Sequence, residues 1–129
     1  MTRILLDSHA LFWFIDGDSR LSPAARDVIK DAGNVVYVSA VTAWEIASKF
    51  RPGKWPDAEA LANDLAGIMS THGFEPLPLS LEHACHAGVL HGPHRDPFDR
   101  MLAAQAEIED IPLVTADPAF RQFKVQTLW

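Results

Sequence analysis

Short apolar runs alternate along the chain with longer segments in which apolar residues recur every three or four positions. The runs at 3–6, 35–38 and 111–115 are rich in leucine, isoleucine and valine, which is typical of buried strands. Residues 125–129 are predicted to form a last short strand. Residues 74–79 contain two prolines and are therefore predicted as an extended segment at a sheet edge.

Helical spacing and capping residues predict five helices between these strands. A serine or aspartate of the kind favoured at N-caps precedes each helix, namely Ser22, Ser39, Asp57, Ser80 and Asp96. Strands that alternate with helices favour an α/β fold with a mainly parallel sheet. The predicted helices cover residues 24–32, 40–50, 58–72, 81–89 and 97–109.

Composition and charge narrow the functional classes. The chain has 129 residues, of which 48% are hydrophobic and 22% charged, and this indicates one globular domain. Its formal charge of −6 argues against a strongly basic nucleic-acid-binding module, but not against an enzyme that holds nucleic acid through metal ions. With one cysteine, Cys85, no predicted membrane span and no signal peptide, a cytoplasmic location is expected.

Two acidic residues follow predicted strands directly. Asp7 comes after the strand at 3–6, and Asp117 comes after the strand at 111–115. The carboxyl ends of parallel strands line the ligand-binding crevice of such a fold, so both residues are candidates for a ligand-binding or active site. The alternative is that each forms a turn or caps a helix, as aspartate often does.

Glu45 lies on the helix that follows the second strand. It shares a helical face with Val41 and Trp44, which we expect to be at least partly buried. A buried carboxylate is costly unless it is paired or bound to a cation. The alternative is that Glu45 reaches water or pairs with Lys49 one turn later.

Two further acids open the last long helix. Asp96 fits the N-cap and Asp99 the third helical position, where both charges suit the helix dipole without any metal. A first-turn carboxylate beside a strand end is, however, also well placed to hold a cation.

Convergence of these acids at one sheet edge would create strong repulsion. The pKa of at least one carboxyl would then rise unless a divalent cation were bound. Hard oxygen ligands select Mg²⁺ or Mn²⁺, and an acid-only site suggests metal-assisted phosphodiester hydrolysis. The four candidate ligands are Asp7, Glu45, Asp99 and Asp117.

The chain resembles the PIN-domain ribonucleases, specifically the VapC-type toxins of bacterial type II toxin–antitoxin pairs. The resemblance rests on an ordered set of segments that spans almost the whole chain. These are LLDSHALFW at 5–13, Leu21-Ser22 with Ala25-Arg26, VSAVTAWEIA at 38–47 with Lys49 and Gly53-Lys54, HRDPFDRMLAAQA at 94–106 and LVTAD at 113–117.

The resemblance implies a single PIN-like nuclease domain over residues 1–129, folded as a three-layer α/β/α sandwich with a central, mainly parallel sheet. It implies that the four acids bind one or two Mg²⁺ or Mn²⁺ ions and that RNA phosphodiester bonds are hydrolysed. Asp96 would cap a helix or hydrogen-bond to a metal ligand without binding the metal itself, and the Ser8 hydroxyl would hydrogen-bond near the site. Phosphate contacts are expected from Lys49, Arg51, Lys54, Arg95 and Arg100, although any of these could be an ordinary surface charge.

The same resemblance implies partners. A cognate VapB-type antitoxin would cover the site, the chain would form homodimers or toxin–antitoxin hetero-oligomers, and operator DNA would be bound only through the antitoxin. Two alternatives stay open: a housekeeping PIN nuclease of RNA maturation and a non-catalytic PIN binding module. A zinc site among His83, Cys85, His86, His91 and His94 is disfavoured because paired Cys-x-x-Cys spacing is missing, and Cys85 is expected in the core.

Overall fold

The computed structural model describes residues 2–93 and 96–129, and five parallel strands form its central sheet. The order is β3-β2-β1-β4-β5, and all four strand pairings are parallel, which confirms the predicted α/β fold. The predicted segments at 74–79 and 125–129 supply the two edge strands. The strands are β1 (Arg3–Leu6), β2 (Val35–Ser39), β3 (Glu75–Leu77), β4 (Leu113–Val114) and β5 (Thr127–Leu128).

Helices cover both faces of the sheet. Because side chains alternate along a strand, Ile4 and Leu6 pack on one face with α1 to α4, while Leu5 packs on the other face with α6. The two buried clusters confirm the predicted three-layer α/β/α sandwich. The helices are α1 (Ser8–Asp16), α2 (Pro23–Lys30), α3 (Ala40–Phe50), α4 (Glu59–His72), α5 (Leu81–Val89) and α6 (Pro97–Glu109), with 3₁₀ turns at Pro56–Ala58 and Pro118–Gln122.

Helix α1 is absent from the sequence-based prediction. Residues 11–15 are all apolar, so no polar position marks a helical period. The residues that mark this helix in the sequence are its two caps. Asp7 is the N-cap, and its side chain accepts a hydrogen bond from the backbone N–H of Ala10. Gly17 ends the helix in the left-handed conformation, with φ of 69°.

Two predicted helix boundaries differ from those observed. Asp57 was predicted to cap α4, but it lies inside the 3₁₀ turn, and α4 begins after Ala58 without a side-chain cap. Helix α2 ends at Lys30, two residues earlier than expected. Within residues 2–93 and 96–129, no helix has both the length and the apolar character needed to cross a membrane.

Candidate active site

The candidate site lies at the carboxyl edge of the sheet, where β1 and β4 end side by side. Leu6 pairs with Val114, so the residues that follow these two strands become neighbours. A cavity of about 310 Å³ opens there, and all four predicted acids are among the residues that line it. The structure therefore brings together Asp7, Glu45, Asp99 and Asp117, which the sequence places in four separate segments.

Asp7 is buried, with 8% of its surface exposed. Its Oδ1 accepts a hydrogen bond from the N–H of Ala10 at 2.8 Å, because Asp7 is also the N-cap of α1. The pKa of Asp7 is raised to about 6, mainly by burial and to a smaller extent by the charges of Asp99 and Glu45, while its hydrogen bonds with Thr115 and Ala10 act in the opposite direction. This is the direction expected for converging acids, although burial contributes most.

Thr115 is a site residue to which the sequence analysis gave no role. Its hydroxyl donates to Oδ2 of Asp7 at 2.5 Å and accepts from the backbone N–H of Asp117 at 3.0 Å. One buried hydroxyl therefore joins two of the four acids. The available signal was a polar residue at the end of a buried strand, two positions before Asp117.

Asp117 plays the capping role that the sequence left open as an alternative. Its Oδ1 accepts from the N–H of Ala119 at 2.9 Å, at the start of the last 3₁₀ turn. The residue is exposed and still lines the cavity. Capping fixes its backbone and does not remove its carboxylate from the site.

Glu45 is buried, with 7% of its surface exposed, and it pairs with Lys49. The Nζ of Lys49 lies 2.5 Å from Oε2 of Glu45, so the i,i+4 ion pair considered from the sequence is formed. Both side chains line the acidic cavity. Lys49 therefore offsets part of the charge of Glu45 and also places an ammonium group inside the site.

The burial predicted for Trp44 is wrong, whereas that for Val41 is correct. Val41 is 3% exposed, but Trp44 is 60% exposed. The indole packs edge-on against Phe98, with ring centroids 5.1 Å apart. The buried residues of α3 are Val41, Thr42, Glu45 and Ile46, and Trp44 lies outside this buried face.

Asp96 and Ser8 have the positions expected of supporting residues. Asp96 caps α6, and its Oδ1 accepts from the N–H groups of Phe98 at 2.8 Å and Asp99 at 3.2 Å. Ser8 is the first residue of α1 and is buried. Both line the cavity beside the four acids.

Of the five basic residues predicted to contact phosphate, Lys49 is the one found in the cavity lining. Arg51 and Lys54 are exposed just after α3, and Arg95 lies outside the described residues. The phosphate contact of Arg100 stays a prediction, and its guanidinium donates to the carbonyl oxygens of Ala87 and Leu90. It therefore holds the end of α5 and is not part of the described cavity lining.

His9 and Trp13 also line the cavity and were missed as site residues. The ring of His9 stacks on Trp55 with a centroid distance of 5.1 Å and contacts Trp13 at 5.4 Å. Burial lowers the pKa of His9, which keeps its imidazole neutral at pH 7. The signal for His9 was its position two residues after Asp7, on the first turn of α1.

The histidine-rich segment has structural roles where it is described. His83 forms a capping box with Ser80, and Nε2 of His86 lies 3.4 Å from Oε1 of Glu107. Cys85 is exposed, so its predicted place in the core is wrong. His94 lies outside the described residues.

The cavity fits a divalent cation through the chemistry of its ligands. It offers four carboxylates, one of them buried with a raised pKa, and such a set suits a hard cation such as Mg²⁺. Among the described residues, however, no three His, Cys, Asp or Glu side chains lie close enough together in this structure to coordinate a metal ion. Glu45 is instead held by Lys49.

The chain matches a known family over nearly its whole length. Residues 4–126 match the model of the PIN domain. The chain belongs to the PIN-domain family. The resemblance seen in the sequence is thereby confirmed, and the matched residues run from β1 to just before β5.

Several known proteins are similar to this chain in sequence or fold. A segment of 61 residues, 47% of this chain, is 36% identical to ribonuclease VapC16 of Mycobacterium tuberculosis, and the match spans 43% of that relative. VapBC2 of Rickettsia felis, solved with a DNA fragment from its promoter, aligns over 99% of each chain with a TM-score of 0.72 and 17% identity. VapC20 of M. tuberculosis, a sarcin-ricin loop cleaving toxin, aligns over 92% of each chain with a TM-score of 0.65 and 19% identity. FitAcB of Neisseria gonorrhoeae aligns over 98% of this chain and 96% of its own, with a TM-score of 0.63 and 20% identity.

Proposed function

We propose that this PIN-domain chain is a metal-dependent endoribonuclease and the toxin of a toxin–antitoxin pair. The observation that carries the proposal is the convergence of four carboxylates on one cavity, with Asp7 buried among them. The similarity to a ribonuclease and the likeness in fold to VapC and FitAcB proteins support it. We assign the activity to one PIN-like nuclease domain over residues 1–129.

The proposed ligands divide into two pairs. Asp7 and Asp99 are the central ligands, and Glu45 and Asp117 complete the set for one or two Mg²⁺ or Mn²⁺ ions. Such an ion supplies Lewis acidity, which lowers the pKa of a water molecule and neutralises charge on the scissile phosphate and its leaving 3′ oxygen. Thr115 keeps the Asp7 carboxylate oriented through its hydrogen bond.

The remaining residues position the RNA and the ligands. Asp96 holds the first turn of α6 and so fixes the backbone of Asp99. The ammonium group of Lys49 is placed to contact a phosphate in the cavity. Arg51 and Lys54 are proposed to contact phosphates further along the strand, and the same role for Arg95 stays a prediction.

The negative charge of the chain agrees with this proposal. Assigning four of the 17 acidic residues to the site leaves 13 acids against 11 bases, a balance of −2. Four of the six units of net negative charge are therefore assigned to the proposed metal site. The acidic residues whose charge argued against a nucleic-acid partner are therefore the proposed ligands of the metal needed to cleave RNA.

The proposed partners follow from the proteins of similar fold. VapBC2 was solved with promoter DNA, which supports a VapB-type antitoxin as partner and operator binding through that antitoxin. We also propose a homodimer or a larger toxin–antitoxin assembly. A cytoplasmic location agrees with the single cysteine of the chain.

The test is to map the RNA ends that appear when the wild-type chain and Asp99→Asn are induced in cells. We expect discrete new ends and growth arrest with the wild type, and neither with Asp99→Asn at an unchanged melting temperature. A fully active Asp99→Asn protein would contradict the assignment. Failure of the purified chain both to cleave RNA and to bind Mg²⁺ would favour a non-catalytic PIN module. Cleavage without growth arrest would favour a housekeeping nuclease.

A further inference from the structure

An exposed aromatic pair lies next to the acidic cavity. Trp44 precedes Glu45 on α3 and Phe98 precedes Asp99 on α6, so the helices that supply two acids also supply two rings. The rings meet edge to face, with centroids 5.1 Å apart and planes 63° apart. Phe98 is partly buried by this contact, whereas 60% of the Trp44 surface stays exposed.

Lys49 connects this pair to the cavity. Its Nζ lies 5.7 Å from the centre of the Phe98 ring and 2.5 Å from Oε2 of Glu45, and its side chain lines the cavity. Arg51 lies two helical turns beyond Trp44 on the same exposed face of α3. The aromatic surface is therefore continuous with the acidic cavity and is flanked by cations.

We propose that the exposed face of Trp44, supported by Phe98, stacks on an unpaired nucleobase of RNA beside the phosphate that occupies the cavity. The inference rests on the proposed function and adds a binding residue to it. Exposed aromatic rings next to basic side chains are how proteins hold single-stranded nucleic acid, because every base has a face that can stack. The substrate class is therefore an unpaired RNA segment or loop.

The charges around Trp44 favour RNA over a protein partner. The centre of a protein–protein interface is depleted in charged residues, whereas here Lys49 reaches the Phe98 ring that contacts Trp44, and Arg51 lies two turns after Trp44 along the helix. A nucleotide requires both components together, a ring for the base and a cation for the phosphate. The ammonium of Lys49 meets this second requirement because it is already inside the cavity.

The test measures the affinity of a short, fluorescently labelled single-stranded RNA for Asp99→Asn protein with Mg²⁺ present, so that binding is read without cleavage. Adding Trp44→Ala is expected to weaken binding roughly tenfold, whereas Trp44→Phe, which keeps a ring, loses about threefold or less. Leu81→Ala is the matched control, since Leu81 is an apolar residue of α5 with 82% of its surface exposed, and it should bind like the parent.

An RNA that lacks the stacked base separates stacking from other effects of the substitution. It should bind the parent and the Trp44→Ala protein equally weakly, because removing the ring has no further effect once its stacking partner is missing. Equal affinity of the parent and Trp44→Ala for intact RNA would overturn the inference. So would a change from dimer to monomer in Trp44→Ala without any change in RNA affinity, since the ring would then belong to a protein interface.

The result is independent of whether the wild type cleaves RNA. If the wild type cleaves RNA and Trp44→Ala has the same KM, the inference fails and the proposed nuclease stands. If no cleavage is found and Trp44→Ala still weakens RNA binding, the inference stands and the proposed nuclease fails.

Discussion

The hydroxyl of Thr115 donates a hydrogen bond to Oδ2 of Asp7 over 2.5 Å, although 108 positions separate the two residues in the chain. The pairing of β1 with β4 brings them together. Because the bond is made to the ionised carboxylate, it lowers the pKa of Asp7 and opposes the larger effect of burial. Thr115 therefore determines how readily Asp7 becomes the anion that a metal requires.

Thr115→Val should weaken metal binding at mildly acidic pH. The substitution keeps the shape of the side chain but removes the donor, so the pKa of Asp7 rises further above its ordinary value. A hydrogen bond to a charged group contributes about 1.5–3 kcal/mol, which predicts a loss of about tenfold or more in Mn²⁺ affinity at pH 6. Calorimetric titration with Mn²⁺ at pH 6 and pH 8 measures this loss.

A measurement at pH 8 and the variant Thr115→Ser provide the controls for Thr115→Val. At pH 8 the difference from wild type should shrink, because a much larger fraction of Asp7 in the variant is then ionised. Thr115→Ser keeps a donor and should bind Mn²⁺ nearly as well as wild type. Equal affinities of wild type and Thr115→Val at pH 6 would show that the hydroxyl has no influence on the ligand.

Burial of Asp7 predicts that the metal-free protein loses stability as pH rises. The pKa of Asp7 is raised from 3.8 to about 6, so the folded state binds this proton more tightly than the unfolded chain. The resulting stabilisation is complete below about pH 4 and is lost as pH rises through 6. At 1.36 kcal/mol per unit, the loss is about 3 kcal/mol, measurable by urea unfolding in EDTA.

Asp7→Asn isolates that effect, because asparagine also caps a helix. The variant should show no such loss and should be more stable than wild type at pH 7 in EDTA. His9, whose pKa is lowered by burial, acts in the opposite direction just below pH 6.5, but it does so in both proteins. Added Mg²⁺ should stabilise the wild type and leave Asp7→Asn unchanged. A wild type that loses no more stability than Asp7→Asn between pH 4 and 7 would contradict this account.

Much of the fold was predictable from the sequence because its signals are local. The apolar run of β2 and the N-cap at Ser39 lie next to each other in the chain, and the predicted start of α3 is confirmed. Helix α1 was missed because a wholly apolar segment carries no period. The exposure of Trp44 was missed because helical spacing indicates which residues share a face but not where that face ends.

The site was predictable only in part, for a related reason. Asp7 and Asp117 could be placed at one edge because parallel strands end on the same side of a sheet. The bond between Thr115 and Asp7 depends on strand order, which the spacing of residues does not specify. The position of Arg100 depends on the end of α5, whose carbonyl groups bind its guanidinium.

Asp96→Ala should loosen the first turn of α6 and with it Asp99. The variant loses hydrogen bonds to the N–H groups of Phe98 and Asp99, and loss of such a cap costs about 1 kcal/mol. We expect a lower unfolding midpoint and reduced RNA cleavage. Asp96→Asn should keep both close to wild type, because its side-chain oxygen still caps. Equal cleavage by the alanine and asparagine variants would show that the cap does not position Asp99.

Gln105→Leu should destabilise the fold without changing the acids of the cavity. Gln105 is fully buried, its Oε1 accepts from the hydroxyl of Ser39 at 2.5 Å, and its Nε2 donates to the carbonyl of Pro78 at 3.2 Å. Leucine leaves the buried Ser39 hydroxyl without its acceptor, at a cost of about 1–3 kcal/mol, so we expect stability in urea to fall by about that amount. Adding Ser39→Ala should cost less in this variant than in wild type, since the bond is already absent. Fully additive losses would show that the Ser39–Gln105 contact contributes nothing to stability.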